Sequence, residues 1–199
     1  MMPGTVRSRF LERVPVTEIV LLSDPRIARI RVEECGEPLV DLRAVDALRV
    51  DPRLADERGA YAHVRLSVAD RLVAAQTRLP QGLRLLVVEG LRPRDLRERY
   101  FAPHVSGGAV DLTLCTQSGA ELPMGTEVNA TPPEADEACH TASTAISTQD
   151  TANRRLLITA MTATGFVNYP TKWWHWSYGD RYWAFTTGAP YARYGMCEL

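Results

Sequence analysis

The sequence has no long uninterrupted hydrophobic run, which limits the kinds of protein it can encode. The longest apolar stretches, such as Leu85-Leu86-Val87-Val88, are far too short to cross a bilayer. Between Met1 and Val20, charged side chains interrupt the apolar ones, so this segment lacks the hydrophobic core of a signal peptide. We therefore expect a cytoplasmic protein without a membrane partner.

Neither sign of charge is in excess. The chain has 23 Lys and Arg against 24 Asp and Glu, a formal net charge of −1. Without a basic excess, neither nucleic acid nor an anionic membrane surface is an expected partner. A chain of 199 residues that is 45% hydrophobic can bury the core of one globular domain, so we expect a single domain over residues 1–199.

Cysteine is scarce and has no paired spacing. Cys35, Cys115, Cys139 and Cys197 are widely separated, and no CxxC pair occurs. This pattern favours free thiols in a reducing compartment. A disulfide between Cys35 and Cys139 remains an alternative.

Helical and strand patterns follow one another in an order that favours an α+β fold, with a small, mainly antiparallel central sheet and flanking helices. Ser67 and Asp70 resemble a capping box at the start of a helix that Pro80 ends. The other predicted elements are a buried strand at Leu83–Val88, a strand at Ala109–Leu114, a helix at Asp150–Thr164 and closing strands at Phe166–Tyr169 and Trp174–Tyr178.

Two histidines and one aspartate have the spacing and surroundings of metal ligands. His104 and Asp111 are seven positions apart, and Gly107-Gly108 between them allows a tight turn that brings the two together. Asp111 lies in the middle of a predicted strand, on the face opposite its apolar residues, which is an unusual place for an acid without a partner. With His175 they would form a three-ligand set typical of catalytic zinc.

The other two histidines have no such surroundings. We interpret His63 as a packed or surface residue. His140 lies in a loop rich in Pro and Glu, where a surface position is the simpler interpretation and a contact with substrate is the alternative.

A set of motifs in this chain resembles the D-alanyl-D-alanine dipeptidases of the vancomycin-resistance type, from about Ile19 to the C-terminus. The motifs are Leu91-Arg92-Pro93, His104 to Leu114, Pro123-Met124-Gly125-Thr126 and Trp173-Trp174-His175. The resemblance implies an α+β zinc peptidase fold that holds one zinc ion per chain on His104, Asp111 and His175. It also implies that Arg92 stabilises the oxyanion of the transition state.

Lys172 occupies the position at which this family has a glutamate as general base. Zinc with two histidines and an aspartate carries a net charge of +1, and an ammonium beside it would raise this to +2. Two unit charges ~5 Å apart repel by roughly 3 kcal/mol at an effective dielectric constant near 20. Lys172 could therefore point away from the metal, be held neutral by the positive charge around it, or weaken zinc binding.

Further departures from the family concern the substrate pocket. Arg92 and His104 are only twelve positions apart, whereas the family has a much longer segment here that helps to enclose the dipeptide. Asn129 stands where the resistance enzymes have an aspartate for the substrate ammonium. Most aromatic residues of the closing segment are expected in the core, and Trp174 is our candidate for a substrate contact. Arg92 has a simpler alternative role, a surface ion pair with Glu89 or Asp95.

Three functions fit these observations. The first is weak zinc-dependent hydrolysis of short peptides of D-amino acids. The second is a tailoring reaction of specialised metabolism, such as elimination, epimerisation or cyclisation, with Lys172 as base. The third is a non-catalytic protein that binds a dipeptide or another small molecule.

Overall fold

A five-stranded sheet forms the centre of the structure. The structure is a computed structural model, and it describes residues 19–93, 103–130 and 137–199. In spatial order its strands are β2 (Arg49–Val50), β4 (Leu83–Glu89), β5 (Ala109–Thr116), β7 (Lys172–Ser177) and β6 (Val167–Tyr169). Among the described residues, β2 and β4 form the only parallel pair in this sheet, and its other pairs are antiparallel. A separate antiparallel pair joins β1 (Leu39–Asp41) to β3 (His63–Arg65). The prediction of an α+β fold with a mainly antiparallel sheet is confirmed.

The helices of the described residues flank these sheets. They are α1 (Pro25–Ala28), α2 (Leu66–Gln76), α3 (Thr148–Thr162) and α4 (Arg181–Thr187). Helix α2 buries Val68, Leu72 and Ala75, which recur at helical spacing, and also Ala69. Leu79, which continues that spacing, lies after the end of the helix and is partly buried. None of the described helices is both long and apolar enough to cross a membrane.

The start of α2 differs from the prediction. The helix begins at Leu66, and the residue before it, Arg65, provides no side-chain cap. The hydroxyl and the amide of Ser67 both donate to the Glu37 carboxylate, at 2.9 Å each. The prediction of a capping box at Ser67 and Asp70 is therefore wrong, because the serine makes a tertiary contact instead.

Helix α3 has the capping box that α2 lacks. The Ser147 hydroxyl accepts from the Asp150 amide, and the Asp150 carboxylate accepts from the Ser147 amide, both at 3.1 Å. This reciprocal pair satisfies two amides at the helix start. It places the first residue of α3 at Thr148, two positions before the predicted start.

Strand β5 is buried on both of its faces. Val110, Leu112 and Leu114 lie in the main hydrophobic core, as predicted. Asp111 and Thr113, on the opposite face, are also buried, at 2% and 1% exposure. A carboxylate in the middle of such a strand must be satisfied by other buried groups, because water does not reach it.

A β-bulge interrupts the β4–β5 ladder. Val87 pairs with Leu112, but the next pair joins Glu89 to Asp111, so Val88 is the extra residue. Without the bulge, Val88 would face Asp111. Bulges of this kind commonly redirect a side chain beside a functional site.

The four cysteines are free thiols, and all four lie in the described residues. Cys35 is exposed, whereas Cys139 is buried. The alternative of a disulfide between Cys35 and Cys139 does not occur in this structure.

Candidate metal centre

His104, Asp111 and His175 come together in the interior, as the sequence predicts. One possible ligand atom from each residue lies within 4.8 Å of the others. Asp111 on β5 and His175 on β7 are paired in the antiparallel ladder, so their side chains project from the same face of the sheet. His104 belongs to the short 3-10 turn Pro103–Ser106, and Gly107, with a φ of +67°, returns the chain to β5.

Hydrogen bonds orient both imidazoles toward one carboxylate oxygen. Asp111 Oδ1 lies 2.7 Å from His175 Nδ1 and 3.2 Å from His104 Nε2. On the far side of its ring, His104 Nδ1 donates to the Gly90 carbonyl at 2.7 Å, which leaves Nε2 as the nitrogen that faces Asp111. Two imidazole nitrogens and a carboxylate oxygen, one ring oriented by a backbone carbonyl, fit the ligand preferences of zinc.

The three side chains of the centre shift one another's pKa values. Burial alone would raise the pKa of Asp111, but the two histidines hold it well below its usual value. Burial acts to lower the pKa of His104, yet the Asp111 carboxylate raises it above its usual value. The pKa of His175 is lowered, by burial first, with the charges of His104 and Lys172 adding to this effect.

Gly90 explains how a backbone carbonyl reaches His104. The Gly90 amide donates to the Tyr61 carbonyl at 2.6 Å, so this segment lies directly against β3 and the turn before it. A Cβ on Gly90 would collide with the His63 carbonyl and approach the Tyr61 carbonyl to 3.1 Å. Glycine is therefore required for the close approach that positions the His104 ring.

Arg92 follows β4 and pairs with Glu89. Its Nε donates to Glu89 Oε1 at 2.6 Å and its Nη2 to Oε2 at 2.5 Å, a bidentate contact. The Arg92 side chain is 41% exposed, whereas that of Glu89 is 8% exposed. The ion pair with Glu89 that the sequence offered as an alternative is present, and Asp95 lies outside the described residues, as does the rest of the shortened segment at 94–102.

Lys172 is exposed and is the first residue of β7, three positions before His175. Its charge lowers the pKa of His175, so its ammonium lies within electrostatic range of the centre. Lys172 is also the only lysine in the sequence, since every other Lys/Arg position carries arginine.

The two residues predicted to contact substrate, Asn129 and Trp174, lie in different surroundings. Asn129 is half-buried in a turn, with a φ of +62° that asparagine tolerates better than most residues. Trp174 packs in the main hydrophobic core at 1% exposure, against the ring of Trp173. Its position gives no support to a substrate contact, because the ring faces other core residues.

The remaining histidines lie apart from the three candidate ligands. His63 Nδ1 hydrogen-bonds to the Gly59 carbonyl at 2.8 Å, a local contact that agrees with the structural role predicted for it. His140 borders an open surface pocket beside Asn168 and Pro170. Among the described residues, neither histidine is part of the cluster that could hold a metal ion.

Two side chains without a distinctive sequence motif, the half-buried Asn168 and the buried Arg154, organise the surroundings of the centre. The Asn168 amide donates to the carbonyls of Lys172, Trp173 and His175, at 3.3, 3.3 and 3.0 Å. Arg154 donates to three carbonyls in two loops, those of Met124, Ala138 and His140, at 2.7 to 2.8 Å. Neither has a sequence signal beyond its residue type, because the partners are backbone carbonyls, which every residue carries.

Comparisons with known proteins agree with this geometry. Residues 99–193 match the family model of Peptidase_M15, D-ala-D-ala dipeptidase. The chain is 26% identical over 221 aligned residues to a D-alanyl-D-alanine dipeptidase of Synechocystis, an alignment that covers 78% of this chain and 87% of that protein. It is 38% identical over 78 residues to the D-alanyl-D-alanine dipeptidase of Enterococcus faecium, which covers 39% of this chain and 37% of that protein.

The matched region contains all three residues of the candidate metal centre, together with Lys172. The motifs, the α+β fold and the geometry of the centre lead to the same family as these comparisons. Residues 99–193 of this chain are therefore similar to the D-Ala-D-Ala dipeptidases of the peptidase M15 family.

Proposed function

We propose that this chain is a zinc-dependent peptidase that hydrolyses short peptides of D-amino acids slowly. The observation that carries the proposal is the convergence of His104, Asp111 and His175 on one buried point, within the region that matches the family. Bound there, zinc would polarise the substrate carbonyl and make a water molecule more acidic.

The protein's own residues have separate tasks in this reaction. Asp111 supplies the negative charge of the centre, and the Gly90 carbonyl holds the His104 ring in the orientation that ligation requires. Arg92 offers N–H donors to the carbonyl oxygen as it gains negative charge. The attacking water also needs a proton acceptor, and the leaving amine needs a proton donor.

Lys172 makes the base step slow. As an ammonium it can donate a proton but cannot accept one, so the water loses the partner that a glutamate at this position would provide. Loss of a positioned acid or base typically costs ~10²- to 10⁴-fold in rate. We therefore expect measurable but weak hydrolysis.

The direct test compares wild type with Lys172→Glu and Lys172→Gln, each at one zinc per chain, for release of D-alanine from D-Ala-D-Ala. We expect slow wild-type release and at least roughly a hundredfold gain in Lys172→Glu. Lys172→Gln removes the positive charge without adding a base, so it should gain far less. No release by zinc-loaded wild type above a metal-free control would exclude the proposed hydrolysis.

One observation favours a second function, proton abstraction next to a carbonyl in a tailoring reaction. Arginine fills every other Lys/Arg position in this chain, so a lysine at 172 indicates that an amine is specifically required there. An amine can lose its proton and act as a base, whereas a guanidinium stays charged. Lys172→Arg should abolish such a reaction and keep the charge, with zinc content unchanged.

An assay of carbonyl substrates for deuterium exchange from D₂O would detect this proton abstraction. Exchange that requires Lys172 would support the second function. Full exchange in Lys172→Arg would contradict it, and binding of ligands without exchange or hydrolysis would leave the chain as a binding protein.

A further inference from the structure

The β6–β7 ladder is irregular at the point where it passes the metal centre. Tyr169 pairs with Lys172, but the preceding residue of β6, Asn168, pairs with Trp176. Between these two pairs β6 advances by one residue, whereas β7 passes over the segment Trp173–His175. Within the described residues, this segment has no partner on β6. It begins directly after Lys172 and ends with a candidate metal ligand.

The Asn168 side chain takes the place of the missing strand partner. Its amide group donates to the carbonyls of Lys172, Trp173 and His175, so it contacts the main chain at both ends of the segment. The Trp173 carbonyl also accepts from the Trp176 indole, at 3.1 Å. Backbone carbonyls inside a protein need donors, which a neighbouring strand normally provides. One side chain thus holds the main chain from Lys172 to His175 in its course.

Thr141 orients this amide group. Its hydroxyl donates to Asn168 Oδ1, so the nitrogen end of the amide faces the three carbonyls. The loop that contains Thr141 is attached to the same region by main-chain hydrogen bonds. The Trp173 amide donates to the Cys139 carbonyl at 3.0 Å, and the Thr141 amide donates to the Pro170 carbonyl at 2.9 Å. The Asn168 amide is therefore fixed through both its oxygen and its nitrogen.

The course of this segment decides where the His175 ring lies. On the β5 side, His175 pairs with Asp111, and its Nδ1 lies 2.7 Å from Asp111 Oδ1. On the β6 side, Asn168 holds the carbonyl of the same histidine at 3.0 Å. Zinc binds imidazole nitrogen at about 2.0–2.1 Å, so a small displacement of this main chain would weaken ligation.

We propose that Asn168 is a positioning residue of the metal centre, which places His175 and Lys172 relative to Asp111 by replacing the missing strand partner. Thr141 acts through Asn168, because its hydroxyl sets the orientation of the amide. The inference rests on the metal site of the proposed function, but it concerns how a ligand is held and not the rate of hydrolysis.

The test compares metal binding by wild type, Asn168→Leu, Thr141→Val and the double variant. Leucine and valine have nearly the volume of the residues that they replace, but their side chains form no hydrogen bonds. The first readout is the Kd of Zn²⁺, measured by competition with a chromophoric chelator. The second is the visible absorption spectrum of the Co²⁺-loaded protein, which depends on the geometry of the ligands. Urea denaturation of the metal-free proteins measures their stability separately.

We expect Asn168→Leu to raise the Kd of Zn²⁺ by ~10- to 100-fold, as is typical when a residue that orients a metal ligand is lost. Its Co²⁺ spectrum should differ from that of wild type. Thr141→Val should show a smaller change in the same direction, and Thr141→Ser, which keeps the hydroxyl, should match wild type. The double variant should be no worse than Asn168→Leu, because Thr141 acts through Asn168.

Asn153→Leu is the matched control. Asn153 is also a buried asparagine whose amide donates to a backbone carbonyl, that of Pro123, at 2.7 Å. Its loss should therefore lower the free energy of unfolding but change neither the Kd of Zn²⁺ nor the Co²⁺ spectrum.

An Asn168→Leu protein that is folded and has the Kd and the spectrum of wild type would overturn the proposal. Equal losses of metal affinity in Asn153→Leu and Asn168→Leu would also overturn it, because the effect would then follow from general destabilisation. If wild type binds zinc but releases no D-alanine from D-Ala-D-Ala, the proposed hydrolysis fails. The binding measurements then still decide the role of Asn168.

Discussion

At the scale of single residues, the surroundings of the centre depend on a buried charged side chain whose hydrogen-bond partners are backbone carbonyls. Arg154 is the clearest case, since the residue is 2% exposed and its guanidinium donates to three backbone carbonyls. Burial lowers its pKa to about 10. It also lies over the Trp173 ring, 5.2 Å from the centroid, so it joins two loops to the start of β7.

We predict that Arg154→Met lowers the free energy of unfolding by about 3 kcal/mol or more, because three carbonyls lose charged donors and stay buried. Arg155→Met is the matched control, since the neighbouring arginine is exposed on the same helix. Urea denaturation followed by tryptophan fluorescence would measure both. Equal losses in the two variants would contradict the role assigned to Arg154.

At the scale of helices and strands, regular elements were easier to predict than the places where they deviate. The apolar run Leu83–Val88 predicted β4, but its bulge depends on pairing with β5 and has no local signal. His104 and Asp111 could be predicted because both lie in one short motif with a glycine turn. The place of Glu89 opposite Asp111 and the contacts of Arg154 could not, because they depend on a strand register and on loop carbonyls that the sequence does not specify.

The aspartate that caps helix α4 stabilises the start of the helix, but its burial destabilises its charged form. Asp180 caps it, with Oδ1 accepting from the Trp183 amide at 2.8 Å, while Oδ2 is buried without a hydrogen-bond partner in the described residues. Burial raises the pKa of Asp180 to about 6. The folded pKa thus exceeds the unfolded value of 3.8, so the associated stability is present below that value and is lost as the pH rises through 6.

We predict that wild type loses about 2–3 kcal/mol of unfolding free energy between pH 4 and 7 that Asp180→Asn retains. Asparagine keeps the cap without an ionisable group. Urea denaturation of both metal-free proteins across this range would measure the difference. Parallel pH profiles would refute the prediction. Asp51→Asn should show the opposite sign at low pH, because hydrogen bonds from Arg53 lower the pKa of Asp51.

At the scale of the whole molecule, the three candidate ligands bring together distant parts of the chain. His104 and Asp111 flank one glycine turn, and His175 lies 64 positions beyond Asp111. An ion that binds all three closes this long loop in the folded state alone. Metal binding is therefore expected to contribute directly to the stability of the fold.

We predict that zinc at a hundred times its Kd stabilises the protein by about 2.7 kcal/mol, and that a chelator reverses this. The shift in thermal midpoint should vanish in His104→Ala and persist in His140→Ala, which removes a histidine outside the centre. A zinc-dependent shift that survives in His104→Ala would place the metal elsewhere.

The solitary exposed lysine has a practical consequence for anyone who handles this protein. Within this sequence, reagents that attack primary amines have one side-chain target, three positions before His175 of the candidate metal centre. Coupling to a biosensor chip by amine chemistry would anchor molecules at this end of β7, close to the candidate centre. Attachment through the exposed Cys35 thiol would avoid this.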